Sequence, residues 1–345
     1  MINKMNRGRF FEDYELGMKI YHATPRTLHN GDKAVYQSLY PCRASIFSSD
    51  EVARSIGLPE SPLDNLIVFH TVFGKTVPDI SLNAIANLAY FEGRFFVPVY
   101  KEDTISAVSE IIGLKENSSK KSGIVYVRSA GYNQSNEKVL EYCRSVMVKK
   151  FDEMAHSPGT SIPSLNSVVH PQNLSFNKSI CFKNYSYIAS GGTNKLMDYD
   201  VGQIIDHIDA VTLDESEHMM ATRLWQNTSK VHFDATIRED GRRLIYGGHI
   251  ISMARALCFN GLENVQIILA VNSGSHVSPC FAGDTIFCWS EILDRVETGK
   301  KGIGALRLRL VASKVGGKVG ELRDKNGKYN SNIVLDFDYW ALIPS

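Results

Sequence analysis

The chain has 345 residues, 43% apolar and 22% charged, enough to bury a sizeable core and to make roughly two domains of ordinary size. Its net charge is +1 and its basic residues form no long run, which excludes a nucleic-acid arm and a polybasic membrane patch and leaves only small anions as expected ligands. The six cysteines (Cys42, Cys143, Cys181, Cys258, Cys280, Cys288) form no CxxC pair, the N-terminus has no apolar signal core, and no apolar run approaches the roughly 18 residues that span a bilayer; reduced thiols, no zinc site and a cytoplasmic location are expected.

Read from the N-terminus, Phe11-Glu12-Asp13-Tyr14-Glu15-Leu16-Gly17 returns as Leu196-Met197-Asp198-Tyr199-Asp200-Val201-Gly202. The segment Val97-Pro98-Val99-Tyr100-Lys101-Glu102-Asp103-Thr104-Ile105 returns as Ser278-Pro279-Cys280-Phe281-Ala282-Gly283-Asp284-Thr285-Ile286, and both copies are followed by Ser-Glu-Ile, at 109–111 and 290–292. Order is kept between the copies, so the chain reads as a duplicated domain. A stretch rich in Pro, Ser and Asn at 152–183 (Ser157-Pro158-Gly159, Ile162-Pro163-Ser164, His170-Pro171-Gln172) reads as the linker between units at 1–151 and 184–345. Each unit has a polar lead-in, a long apolar helix candidate and several strands rich in Val, Ile, Tyr and Phe. In the second unit the helix runs from Gly248 through Ile250, Ile251, Met253, Ala254, Leu257 and Cys258 to a stop at Gly261. Its circumference is apolar nearly all round, so it must be buried, and strands at 266–271, 285–293 and 305–315 are long enough to wrap it. The expected class is α+β: one helix inside a curved antiparallel sheet, twice over.

That doubled arrangement resembles the tandem hotdog of MaoC-like enoyl-CoA hydratases. The family signature Gly-Asp-x-Asn-Pro-Leu-His-x-Asp faces Gln226-Asn227-Thr228-Ser229-Lys230-Val231-His232-Phe233-Asp234, where His232 and Asp234 match outright. Leu244-Ile245-Tyr246-Gly247-Gly248-His249 resembles the family's helix entrance, with Gly248 at its glycine, and Pro279-x-Phe281-x-Gly283-Asp284-Thr285 is a further shared feature. The stretch from Val68 to Ser81, with Gly113-Leu114-Lys115-Glu116-Asn117, is similar to the mesaconyl-CoA hydratase branch. The resemblance implies hydration of an acyl-CoA substrate, the interconversion of mesaconyl-C1-CoA and β-methylmalyl-CoA. It also implies a homo-oligomer, and no cofactor beyond the CoA carried by the substrate.

Hydrating a conjugated thioester requires a base for water, a proton for the α-carbon and donors for the enolate oxygen. His232, with an ordinary pKa near 6.5, suits the proton transfers. The family places an aspartate where this chain has Asn227; an amide is no base, yet it can orient water through one acceptor and two donors. Asp234 can supply acid–base chemistry or cap the following turn. The distal carboxylate of the diacid can itself polarise the water. Gly248 begins a helix whose free N–H groups can hold the enolate oxygen, Gly247 allows a tight turn, and His249 reads as a contact or packing residue. His232 and His249 have no third ligand at a sensible spacing, so no metal is expected, and the absence of GxGxxG argues against nicotinamide, flavin or nucleoside triphosphate. In the first unit Phe47 stands for the histidine, Cys42 for the aspartate, and Asp64-Asn65-Leu66 enters the helix without glycine. That unit is expected to shape the pocket, with Arg43, Lys75 and Arg94 as cations able to grip a distal carboxylate. A thioesterase, a fatty enoyl-CoA hydratase and a non-catalytic acyl-CoA-binding protein are the competing readings; His232 argues against the first, and Asn227 keeps the last open.

Overall fold

Strands in this chain alternate buried and exposed side chains at period two, as a sheet with one packed face requires. In β3 (Thr104–Glu116), Ile105, Ala107, Ser109 and Ile111 point inward and the residues between them are more exposed. The computed structural model describes residues 5–345. The first half supplies β1 (Lys19–Thr27), β2 (Ala84–Phe95), β3, β4 (Ser122–Tyr132) and β5 (Lys138–Lys149). The second supplies β6 (Ile204–Thr212), β7 (Ile268–His276), β8 (Thr285–Glu297), β9 (Ile303–Ser313) and β10 (Ile333–Pro344).

All ten strands join one antiparallel sheet in the order β1-β3-β4-β5-β2-β7-β10-β9-β8-β6, which reads the same in both halves outward from the centre. The seam is β2 against β7, with Tyr90 opposite Gly274 and Gly93 opposite Val271. The glycines are there for space. A Cβ on Gly93 would lie 2.9 Å from that of Val271, and one on Gly274 would lie 3.0 Å from the Tyr90 ring.

Two central helices fill the concave faces. Every residue of the first, Asn65–Thr76, is buried, and so is the second, Gly247–Leu257, from Gly248 to Ala256. This is the tandem hotdog that the sequence resemblance implies. Polar side chains tie the helices together: His70 lies 2.8 Å through Nε2 from the Ser252 hydroxyl and 3.3 Å through Nδ1 from the Tyr246 hydroxyl. The second helix ends at Leu257 and passes through turns before Gly261, and β7 begins and ends later than the 266–271 run suggests. The segment at 152–183 is no passive tether. Val169 donates its N–H to Asn272 Oδ1 at 2.8 Å and accepts from Trp340 Nε1 at 3.0 Å, and Ile180 and Phe182 pack with Phe47 and Ile56. Among the described residues no helix is long and apolar enough to cross a membrane.

Candidate active site

The helix Glu215–Leu224 begins at Asp214, whose carboxylate accepts from Ser216 N–H, and ends in a left-handed turn at Gln226, φ 54°. That turn returns the Asn227 N–H to the Thr222 carbonyl at 2.9 Å and sends Asn227 inward, where it is 1% exposed. Gly74 of the first central helix backs the same turn so closely that a Cβ there would lie 1.7 Å from the Trp225 carbonyl oxygen. Asn227 Oδ1 accepts from Ser229 N–H at 3.1 Å, a local turn that starts the short helix Lys230–Phe233.

His232 sits in that helix and is held from one side. Val231 carbonyl accepts from Leu244 N–H at 2.9 Å, and the Leu244 carbonyl lies 2.7 Å from His232 Nδ1. A carbonyl oxygen can only accept, so Nδ1 carries the proton and Nε2 keeps its lone pair. The next residue, Ile245, bonds through N–H to the Cys280 carbonyl at 2.9 Å, which stitches the shared Pro279-Asp284 segment to the helix entrance.

A cavity of about 260 Å³ opens against His232. Its second-half wall includes Asn227, Tyr246, Gly247 and His276, and its first-half wall includes Phe73, Ser81, Asn87 and Tyr90. Gly247 has no room for a side chain: a Cβ would lie 2.4 Å from the His276 imidazole, and one on Gly248 would lie 2.4 Å from the Tyr246 ring. Tyr246, at the N-cap position, provides no side-chain cap, and the amides of Gly247 and Gly248 donate to no acceptor among the described residues. The N-terminus of a buried helix thus faces the cavity with unspent donors and partial positive charge.

The imidazoles here are neutral at neutral pH. Burial pulls His232, His249 and His276 down to about 4 and His218 and His70 down to about 3, helped for His218 and His276 by the neighbouring His232. His218 Nε2 accepts from Tyr246 N–H at 3.0 Å, and His218 thereby fixes the helix entrance from behind.

The remaining residues singled out in the sequence are dispersed. Gly248 and His249 are buried just behind the cavity wall, where His249 Nδ1 lies 2.8 Å from the Tyr40 hydroxyl. Asp234 is exposed and accepts from Thr236 N–H at 2.9 Å and its hydroxyl at 2.7 Å, which holds its carboxyl below the usual range and caps the next turn. Lys75 donates to the Thr24 carbonyl, Arg94 pairs with Glu141 at 3.2 Å, and Arg43 lies over the Phe259 ring. None of these four side chains lines the cavity. Sequence reasoning overlooked His218 and His276. Each is a lone histidine in an ordinary helix or strand, and only the fold brings it to the site.

Comparison with known proteins gives the chain its relatives. The family model described as mesaconyl-CoA hydratase matches residues 2–316. A mesaconyl-CoA hydratase from Cereibacter sphaeroides is 57% identical, with 99% of each chain covered. A β-methylmalyl-CoA dehydratase from Chloroflexus aurantiacus is 52% identical, with 100% of this chain and 99% of the relative covered. The crystal structure of a MaoC domain protein dehydratase, also from Chloroflexus aurantiacus, superposes with a TM-score of 0.97 at 51% identity over 99% of both chains. With the histidine loop, the open helix N-terminus and the doubled fold in place, the chain belongs to the mesaconyl-CoA hydratase family.

Proposed function

We propose that this chain adds water reversibly to mesaconyl-C1-CoA to give β-methylmalyl-CoA. The observation that carries the reading is His232: its Nδ1–H is committed to the Leu244 carbonyl, so Nε2 presents a lone pair at a cavity bordered by an uncapped helix N-terminus. In the hydration direction Nε2 takes a proton from water as the water oxygen bonds to the β-carbon. The double-bond electrons move onto the thioester oxygen, which the helix N-terminus at Gly247 holds. The α-carbon then takes a proton, which the imidazolium is able to return. Asn227 orients the water through its amide while its Oδ1 keeps the loop turned. An imidazole pulled down to about 4 is a weak base in the empty site, and the negative charge of the bound diacid and of the growing enolate raises it. The reaction draws on no cofactor other than the CoA of the substrate.

The test is the ultraviolet absorbance of the conjugated thioester after adding the protein to mesaconyl-C1-CoA and, separately, to crotonyl-CoA. Faster loss of the diacid signal is expected. Faster loss of the crotonyl-CoA signal would favour a general enoyl-CoA hydratase, and no change in either would leave an acyl-CoA-binding protein.

A further inference from the structure

Arg144 is 1% exposed, on β5 between Tyr142 and Val146, and its guanidinium carbon lies 4.5 Å from the Phe73 ring centroid. Nη1 donates to Ser81 Oγ at 3.0 Å and to Asn87 Oδ1 at 3.4 Å, and Nη2 donates to Thr76 Oγ1 at 2.9 Å. All these acceptors are neutral. Two neighbouring donors, Arg144 Nε and Asn87 Nδ2, are buried with no acceptor. Of the other buried cations, Lys150 pairs with Glu116 at 2.9 Å, while Lys75 and Arg255 also donate to neutral carbonyls, those of Thr24 and Val265; what sets Arg144 apart is the donor it leaves unused. A buried guanidinium without a counter-charge is costly.

Ser81, Asn87, Phe73 and Val146, which surround Arg144, line the cavity that His232 faces. The missing anion has a natural source. In a diacid enoyl thioester the free carboxylate is bonded to the very carbon that takes water, so whatever holds the carboxylate also sets that carbon against the base.

We propose that Arg144, with Asn87 and Ser81, is the receptor for the free carboxylate of the substrate and makes the site specific for a diacid; this rests on the hydratase reading above. The carboxylate takes up the unused Nε and Nδ2 donors and completes the ion pair that the folded chain leaves open. Arg144 lies one layer behind the wall, and Ser81 and Asn87 are the side chains that move or relay.

The experiment compares kcat/KM for mesaconyl-C1-CoA and crotonyl-CoA in wild type, Arg144→Met and Arg144→Lys. In parallel it compares inhibition by succinyl-CoA and butyryl-CoA, the saturated diacid and monoacid. In Arg144→Met the diacid-to-monoacid ratio is expected to fall about 100-fold or more, with partial recovery in Arg144→Lys and loss of the preference for succinyl-CoA. Parallel falls that keep the ratio within about threefold would show a purely structural arginine and overturn the proposal. Should Arg144→Met fail to fold, Asn87→Ala on the cavity wall reads the same ratio, with a fall of about tenfold expected. Wild type inert on both enoyl thioesters would defeat the hydratase reading alone, because the succinyl-CoA and butyryl-CoA comparison still tests the receptor: tighter succinyl-CoA binding that Arg144→Met abolishes sustains it, and equal binding overturns it.

Discussion

The two halves present the same corner of the fold in opposite states. In the second, the short helix Lys230–Phe233 offers His232, glycines open the central helix, and a cavity of about 260 Å³ lies in front. In the first, the matching short helix Ser45–Ser48 carries Phe47 at the same position. There Asp64 caps the central helix by accepting from Leu66 N–H at 2.8 Å. The corresponding corner holds a cavity of only about 30 Å³, bordered by Phe47, Asn65 and Phe95 and, from the linker, by Phe176 and Ile180, beside a wider cleft of about 750 Å³ that runs over Phe96, Phe176 and Lys300. A helix N-terminus is available to a substrate oxygen only when the chain does not fill it itself. One half satisfies its own helix, and the other leaves its donors open toward a cavity.

The largest expected effect that would break this contrast is acid. His218, His232, His249 and His276 gather around the second-half site, with His70 reaching in from the first central helix, and all titrate at about 3 or 4 in the fold against 6.5 ordinarily. Their folded values are depressed, so the unfolded chain binds more protons in this window. The stability they carry is intact above about pH 6.5 and drains away as the pH falls toward 4. Circular dichroism melts across that range should show a steep fall in Tm. A flat profile would mean the imidazoles are not held neutral.

Next in size is Gly247→Ala, which drives a Cβ into the His276 ring and shifts the helix entrance. Turnover is expected to drop about 100-fold, the scale of losing one oxyanion donor, whereas Asn65→Ala at the matching first-half entrance should leave turnover within about threefold. Phe176→Ala removes part of the first-half cavity wall; urea titration should show a loss of about 2 kcal/mol with turnover unchanged. Smallest is Asp234→Ala. It loses an exposed cap, for about 1 kcal/mol or less, and a thousandfold loss of turnover would instead mark Asp234 as an acid or base.

The duplication was legible because strand and turn residues repeat in order, and the buried helix because Ile250, Ile251, Met253 and Ala254 cover most of its circumference, although His249, Ser252 and Arg255 on the remaining stripe are buried too. His232 was legible through its neighbours, and Phe47 in place of histidine marked the first half as lacking the motif. Other features depend on distant contacts that no local pattern encodes. Tyr90 meeting Gly274 at the seam, His276 arriving beside Gly247, and Arg144 lodging under Ser81 and Asn87 each join residues far apart in the chain. The 152–183 segment read as a linker because its apolar residues follow no period, yet Val169, Ile180 and Phe182 are buried in one cluster with Phe47, Ile56 and Trp340. Asp234 illustrates the converse: the motif match left it open as an acid–base group or a cap, and its side chain accepts from the Thr236 N–H and hydroxyl.

On the proposed reading, chemistry resides in the second-half site alone and begins at His232 Nε2. Its most direct test is the steady-state hydration of mesaconyl-C1-CoA by His232→Ala beside Phe47→Ala, with folding checked by circular dichroism. A loss of about 10³-fold or more in His232→Ala, with Phe47→Ala retaining turnover within about threefold, is the predicted result. A His232→Ala variant that keeps more than about a tenth of wild-type turnover would contradict the account.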